Sequence, residues 1–164
     1  MQRNYLESIV SKKNLACLTI IIFIFFFDRL TKIQIIKNQT NNGAIFINDY
    51  LNFELVWNTG IGFGLFNINA GLVYHLISAF IFAIIILIVY LLTKSEKIDK
   101  FLYAIVLGGA LGNFYDRISY FAVPDFIDLH FNQYHWFTFN IADVFISIGI
   151  VLLILNEMIF KDEN

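Results

Sequence analysis

The chain has 164 residues, of which 59% are hydrophobic and 15% charged, and its formal net charge at pH 7 is −2. Soluble domains are nearer half apolar with about a quarter of their residues charged, so this composition excludes an ordinary soluble domain and indicates an integral membrane protein. The nearly neutral charge argues against nucleic acid as a partner, and the single cysteine, Cys17, excludes disulfides and thiolate metal clusters.

Four hydrophobic runs are long enough to cross a hydrocarbon core of about 30 Å, which takes about 20 helical residues. They cover residues 15–36, 70–93, 101–118 and 139–160. No small-residue cleavage site follows the first run, so we interpret it as a retained helix rather than a secretory signal. The sequence therefore predicts an α-helical integral membrane protein with four transmembrane helices, forming one domain over residues 1–164.

The basic residues are distributed unequally between the two sides of these predicted helices. Seven of the eleven lie on the side of the chain termini: Arg3, Lys12, Lys13, Lys94, Lys97, Lys100 and Lys161. The positive-inside rule accordingly predicts that both termini and the loop 94–100 are cytoplasmic.

Two longer segments then face outward. Residues 37–69 contain the β-prone runs Ala44–Ile47 and Phe53–Trp57 and the turn signal Asn58-Thr59-Gly60, so we expect a small strand-bearing element outside the membrane. Residues 119–137 are rich in aromatic side chains, which we interpret mainly as an anchoring belt at headgroup level.

Five aspartates lie inside or against the apolar helices. They are Asp28, Asp116, Asp125, Asp128 and Asp143. An ionised aspartate at the centre of a transmembrane helix costs roughly 2.5–3.5 kcal/mol even on lenient insertion scales. Such groups are typical of chemistry or ion movement, so their placement indicates a functional site.

The third predicted helix combines small residues with a polar end. Ala104, Gly108 and Gly112 recur at four-residue intervals, with Gly109 beside them, and this pattern favours close packing of helices. Just outward lie three polar residues that share a face: Asn113, Asp116 and Arg117. We expect Asp116 and Arg117 chiefly to neutralise one another at the helix end.

Asp28 and Lys32 stand four residues apart with the acid first, the favourable order for an ion pair on a helix. This spacing predicts a structural role at the outer end of the first span. The three histidines, His75, His130 and His135, show no paired ligand spacing, so we expect no zinc site from them.

The remaining aspartates lie near the start of the fourth helix. Asn140 and Asp143 are three residues apart, and Asp143 is followed by a nearly apolar helix. Asp125 follows Pro124, the only proline, which stiffens the backbone there. The residues themselves leave open whether Asp125 or Asp128 is the more important.

Carboxylates that converge at one membrane edge suggest two classes of function. One is acid–base hydrolysis, in which two aspartates share a proton and activate water. The alternative is a small proton- or cation-coupled transporter that uses the outer aspartates as ion sites. Transport predicts polar residues through the full depth of the bundle, whereas these acids cluster at one face, so hydrolysis is favoured.

The chain resembles the bacterial lipoprotein signal peptidase family, also called signal peptidase II, over essentially its whole length. Five blocks in the family's order carry the resemblance: DRLTK at 28–32, NTGIGFG at 58–64, GGALGNFYDR at 108–117, VPDFI at 123–127 and FNIAD at 139–143. The chain departs from the family's commoner residues at Pro124, Gly62 and Gly64.

The resemblance implies an aspartic endopeptidase of the bacterial cytoplasmic membrane, with its active site near the extracytoplasmic face. Such enzymes cleave signal peptides from diacylglyceryl-modified prolipoproteins, immediately before the lipidated cysteine. The implied catalytic pair is Asp125 and Asp143, which leaves Asp128 outside the site. The strand-bearing element would form a cradle, and residues 119–137 would cover the site.

The resemblance also implies residues that bind substrate or support the site. They are Asn58, Gly109, Asn113, Asp116, Arg117, Asn140, Asp28 and Lys32. It implies no metal and no cofactor. We expect membrane lipid and prolipoprotein substrates as partners, and a monomeric chain.

Overall fold

Four long helices and a four-stranded sheet make up the part of the chain that the computed structural model describes, residues 11–39, 43–60, 71–132 and 134–160. The elements, in chain order, are α1 (Lys12–Gln39), β1 (Ile45–Asn48), β2 (Leu51–Asn58), α2 (Leu72–Lys94), α3 (Lys97–Tyr120), β3 (Val123–Phe131), β4 (Tyr134–Phe139) and α4 (Ile141–Phe160).

Each predicted span corresponds to one helix. The helix α1 extends the predicted span 15–36 at both ends, and α4 begins two residues inside the predicted span 139–160. The predicted loop 94–100 is an overestimate, because α3 begins at Lys97 and only Ser95 and Glu96 separate it from α2. Residue 70, the start of the second predicted span, lies outside the described residues, as do the basic residues Arg3 and Lys161.

Two of the described helices are long and apolar enough to cross a membrane, over Tyr74–Lys94 and Ile141–Ile159. Only 6% and 11% of their most apolar windows are buried inside the protein. A core helix of a soluble protein would bury most of such a surface, so these exposed apolar faces need a nonaqueous surrounding. The helices α1 and α3 carry more charge, and they turn much of it inward.

The helix α3 is central, because it packs against α1, α2 and α4. Its glycines permit this close approach, as the small-residue stripe predicts. A Cβ atom built on Gly109 would lie 2.6 Å from the carbonyl oxygen of Ala142 in α4, and one on Gly112 would lie 2.6 Å from Oδ2 of Asp28 in α1.

The sheet is antiparallel throughout, in the order β1-β2-β3-β4. The strands β1 and β2 confirm the strand-bearing element predicted within residues 37–69. Residues 119–137, interpreted mainly as an aromatic belt, include the end of α3, all of β3 and part of β4, and the sequence analysis did not predict these strands. The alternation of apolar and polar residues that would predict a strand is obscured in β3, because aromatic residues lie on both of its faces.

The strand β3 is regular, because the extra residues that shift its pairing belong to the neighbouring strands β2 and β4. Between the pairs Phe53–Ile127 and Val56–Asp125 the extra residue belongs to β2. Side chains alternate between the two faces of a regular strand. Asp125 and Asp128 are three residues apart and therefore lie on opposite faces of the sheet.

Candidate active site

Asp125 lies on β3 beneath two amide side chains. Its Oδ2 accepts a hydrogen bond of 2.8 Å from Nδ2 of Asn58, and its Oδ1 accepts one of 2.6 Å from Nδ2 of Asn140. Asn58 reaches it because Asp125 pairs with Val56, and Asn58 is the next residue on the same face of β2. Both oxygens of this buried carboxylate are therefore held in place.

The pKa of the Asp125 carboxyl is raised from 3.8 to about 7. Burial is the largest cause, and the negative charge of Asp143 acts in the same direction. The amides of Asn58 and Asn140 and the ammonium of Lys32 oppose the shift. Asp125 is therefore able to hold a proton near neutral pH.

Asp143 lies in the first turn of α4 and takes part in a reciprocal cap of that helix. The backbone N–H of Asp143 donates to Oδ1 of Asn140 at 3.1 Å, and the backbone N–H of Asn140 donates to Oδ2 of Asp143 at 3.2 Å. This is the capping-box arrangement with asparagine and aspartate in its two positions. A local sequence pattern thereby fixes one oxygen of Asp143, and Nδ2 of Asn113 donates to the other at 2.8 Å.

Asn140 links the two carboxylates, because its side-chain nitrogen donates to the Asp125 carboxylate and its backbone N–H donates to that of Asp143. Its side-chain oxygen accepts from the backbone N–H of Asp143. Both aspartates line one cavity of about 260 Å³. The other lining residues are Asn58, Ile81, Ile84, Ile88, Val106, Ala110, Asn113, Arg117, Val123, Ile146, Ser147 and Ile150. The cavity is polar around the carboxylates and apolar along α2, α3 and α4.

A fully buried lysine supports this site from behind. The Nζ atom of Lys32 donates to Asp28 at 2.8 Å, to Asn113 at 2.8 Å and to Asp116 at 2.7 Å. Because the oxygen of the Asn113 amide accepts from Lys32, its nitrogen is left to donate to Asp143. The pairing of Asp28 with Lys32 confirms the interaction that their spacing predicts, although the pair is buried in the bundle.

Asp28 also reaches the end of α4, where its Oδ1 accepts from the backbone N–H of Ala142 at 3.0 Å. The first N–H groups of a helix lack partners within the helix, and a carboxylate satisfies them well. Asp28 therefore joins α1 to the turn that carries Asp143.

The expected mutual neutralisation of Asp116 and Arg117 is wrong, because Asp116 pairs with Lys32 and Arg29. Adjacent helical residues point about 100° apart, so Asp116 faces α1 while Arg117 faces the cavity. The role of Arg29 was missed by sequence reasoning, although the residue stands inside a recognised motif block. Its guanidinium also stacks over the ring of Tyr115, 4.6 Å from the centroid.

Arg117 secures the turn that follows β2. Its Nη2 donates to the carbonyl oxygen of Gly60 at 2.9 Å, and the backbone N–H of Gly60 donates to Oδ1 of Asn58 at 2.9 Å. The hydroxyl of Tyr74, which sequence reasoning also missed, donates to the carbonyl of Arg117 at 2.9 Å. The rest of this motif block, including Gly62 and Gly64, lies outside the described residues.

Asp128 does not join the cavity, because it lies on the other face of β3. It meets His130 and His135 there, with 2.8 Å between its Oδ2 and Nδ1 of His135. His130 and His135 show no ligand spacing in the sequence, but the register of the β3–β4 hairpin places them directly opposite each other. His75 lies apart from them, on α2.

The apolar outer faces of the helices and the two aspartates that line one cavity fit a membrane enzyme of the hydrolytic, aspartate-dependent class. Two solved structures, each described as a bacterial membrane enzyme, share the fold. One has a TM-score of 0.74 and 29% identity over 88% of this chain and 94% of its own, and the other a TM-score of 0.72 and 28% identity over 91% and 93%.

Residues 20–159 match the family described as signal peptidase (SPase) II, and the chain belongs to that family. The lipoprotein signal peptidase of Pelagibacter ubique is 49% identical over 149 residues, which cover 90% of each protein. That of Anaplasma phagocytophilum is 33% identical over 150 residues, covering 90% of this chain and 94% of the relative. These comparisons give no support to the transporter alternative.

Proposed function

We propose that this chain removes signal peptides from prolipoproteins, with Asp125 and Asp143 as its catalytic pair. Membership of the signal peptidase II family supports the reaction. The observation that carries the assignment of residues is that Asn140 donates to both carboxylates, which line one cavity. Carboxylates from two different elements are thereby aimed at a common space.

In the proposed mechanism the pair holds one proton and binds a water molecule between its carboxyl groups. The ionised carboxylate removes a proton from the water as the water oxygen attacks the scissile carbonyl, and the protonated carboxyl donates to the carbonyl oxygen. In the collapse of the resulting diol, the carboxyl that took the water proton gives it to the leaving nitrogen as the C–N bond breaks. The other carboxylate removes a proton from a diol hydroxyl, which restores the single shared proton. The reaction therefore consumes one water and needs no covalent intermediate.

The asparagines keep the pair oriented for this chemistry. Asn58, Asn113 and Asn140 donate to the carboxylates and cannot themselves ionise. Lys32, Asp28 and Asp116 hold Asn113 and the start of α4 in place. These residues are positioning residues, while Arg117 lines the cavity and is placed to contact substrate.

The apolar part of the cavity supports a lipidated substrate. Isoleucine side chains from α2 and α4 line it below the carboxylates. A signal helix entering sideways from the bilayer would place its scissile bond at the aspartates, with its lipid chains against apolar helix surfaces. We accordingly propose cleavage immediately before a diacylglyceryl-modified cysteine.

The proposed arrangement in the membrane rests on the unequal distribution of basic residues in the sequence. All four helices cross the bacterial cytoplasmic membrane as one domain over residues 1–164, with both termini cytoplasmic. The sheet and the catalytic pair then lie near the extracytoplasmic face, where translocated substrates emerge. The chain works as a monomer without a cofactor.

The test is a gel-shift cleavage assay with purified protein in detergent and a diacylglyceryl-modified prolipoprotein. We expect cleavage by the unmodified chain and by Asp99→Asn, and none above background by Asp125→Asn or Asp143→Asn. Asp99 is the matched control, because it also bonds an asparagine, Asn156. It lies in the first turn of α3, at the opposite end of that helix from the cavity. Each variant keeps the shape of its side chain and loses only the ionisable group.

A metal chelator is added in a parallel series, and we expect cleavage to continue because the carboxylates themselves activate the water. Substantial cleavage by both single variants would contradict the assignment of the pair. No cleavage by a folded unmodified chain would contradict the proposed function.

A further inference from the structure

A second group of ionisable side chains lies at the tip of the β3–β4 hairpin, outside the catalytic cavity. It consists of Asp128 and His130 on β3 and His135 on β4. The two histidines are direct cross-strand partners, and Asp128 lies two residues from His130 on the same face of β3. An extra residue in β4 between His135 and Thr138 adjusts the register there.

The distances within this group suit metal ligands. One ligand atom from each of the three residues can be chosen so that all three atoms lie within 4.8 Å of one another. Nδ1 of His130 is 3.6 Å from Oδ2 of Asp128, whereas two ligands of a tetrahedral zinc ion are about 3.4 Å apart for bonds of about 2.1 Å. The imidazole rings stack at 5.1 Å between centroids with 21° between their planes, so a shared ion requires the exposed His135 ring to rotate until its in-plane lone pair points at the ion.

His130 is the observation that points to a ligand. Only 9% of its side chain is exposed, and within the described part of the chain its buried Nδ1 has no hydrogen-bond partner. Leaving a buried polar atom unpaired costs about 1–3 kcal/mol. A metal ion at this position would satisfy the lone pair of a neutral imidazole.

Charge supports the same conclusion. The side chain of Asp128 is 4% exposed, and within the described residues it forms ion pairs with the two histidines. A divalent cation would neutralise this buried carboxylate. His135 is 53% exposed, so the group is open to solvent and leaves room for water as a fourth ligand.

We propose that Asp128, His130 and His135 bind a divalent transition-metal ion of the zinc class, which clamps the tip of the β3–β4 hairpin. Two imidazole nitrogens and one carboxylate favour such an ion over Mg²⁺ or Ca²⁺. The ion lies on the sheet face opposite Asp125. Its removal therefore lowers the melting temperature without abolishing cleavage.

Zinc binding is measured on the full chain without a polyhistidine tag, purified in detergent and cleared of metal with a chelator. Zn²⁺ is then titrated in competition with a chromophoric chelator, with excess Mg²⁺ present. We expect one Zn²⁺ per chain and a rise in melting temperature on binding. Mg²⁺ is expected not to compete.

The test variant is His135→Ala, whose exposed side chain can be removed with little risk to folding, and the matched control is His75→Ala on α2. Loss of an outer-sphere partner typically costs 10–100-fold in metal affinity, so loss of a ligand should cost on the order of 100-fold or more. His75→Ala should keep both the affinity and the thermal shift.

Absence of Zn²⁺ binding by the folded unmodified chain would overturn the proposal. So would binding that survives His135→Ala, or that is lost equally in His75→Ala. None of these measurements uses a substrate, so their outcome is independent of the cleavage assay.

Discussion

Asn140 is the residue on which the geometry of both candidate carboxylates depends. It caps α4, donates to Asp125 and fixes one oxygen of Asp143 in the same structure. An asparagine suits this position because its amide offers a donor and an acceptor at one charge state. A carboxylate there would repel both aspartates, and an alanine would leave Asp125 and the helix end without their partners.

At the residue scale, we predict that cleavage declines as the pH rises through about 7, because the pKa of Asp125 is raised to about 7 by burial and by Asp143. Below that pH the pair keeps the shared proton that the mechanism uses. Above it, the proton donor to the substrate carbonyl is lost. The measurement is kcat/KM against pH with the purified chain in detergent.

The control for this prediction uses no substrate. The folded-state pKa of Asp125 lies above the unfolded value, so its protonation stabilises the fold, fully below pH about 4 and progressively less up to about 7. Asp125→Asn cannot titrate, so its melting temperature relative to the unmodified chain should rise across this interval. A difference in melting temperature between the two proteins that does not change with pH would contradict the raised pKa of Asp125.

At the scale of elements, the contact of α3 with the first turn of α4 sets the position of Asp143. We predict that Gly109→Ala strongly reduces cleavage, because the new Cβ would lie 2.6 Å from the backbone oxygen of Ala142, next to Asp143. Backbone cannot rotate away from such a contact, so the start of α4 must move. A misplacement of about 1 Å can cost on the order of 100-fold in rate.

Gly149→Ala is the matched variant, measured by thermal unfolding and by the cleavage assay. Its Cβ would lie 2.5 Å from Cγ2 of Val106, at the same helix interface but deeper in α4. We expect both variants to lower the melting temperature. Only Gly109→Ala should also reduce the rate of cleavage per folded molecule. Equal losses of cleavage would indicate a general packing defect instead.

At the scale of the whole molecule, the sheet and the link between α2 and α3 lie at opposite ends of the bundle. Tyr74, near the start of α2, bonds the carbonyl of Arg117 beside the sheet. Ser95 and Glu96 follow the other end of this 23-residue helix, so the link lies far from the sheet. We predict that the sheet faces outward and the link faces the cytoplasm.

The measurement is cysteine labelling with a membrane-impermeant maleimide, in a Cys17→Ala background. Asp49→Cys, in the β1–β2 turn, should react in spheroplasts, whereas Glu96→Cys should react only after the membrane is opened. Both sites are exposed, so unequal reactivity reports the side of the membrane. The reverse pattern would contradict the proposed orientation.

The sequence by itself determined the features that depend on near neighbours along the chain. Hydrophobic runs located the four helices, β-prone runs located β1 and β2, and the four-residue spacing located the ion pair of Asp28 and Lys32. The motif blocks indicated the family, which the comparisons confirm. Periodicity and local capping are physical properties of a short segment, so they can be identified without knowing the rest of the fold.

Only the tertiary structure decided which distant groups meet. Lys32 bonds Asp116 across 84 positions, and the register of β3 separates Asp125 from Asp128 while joining His130 to His135. The expected pairing of Asp116 with Arg117 failed for this reason, since adjacent helical residues face different neighbours. Such contacts depend on helix packing and strand register, which are set by the chain as a whole and leave no local pattern in the sequence.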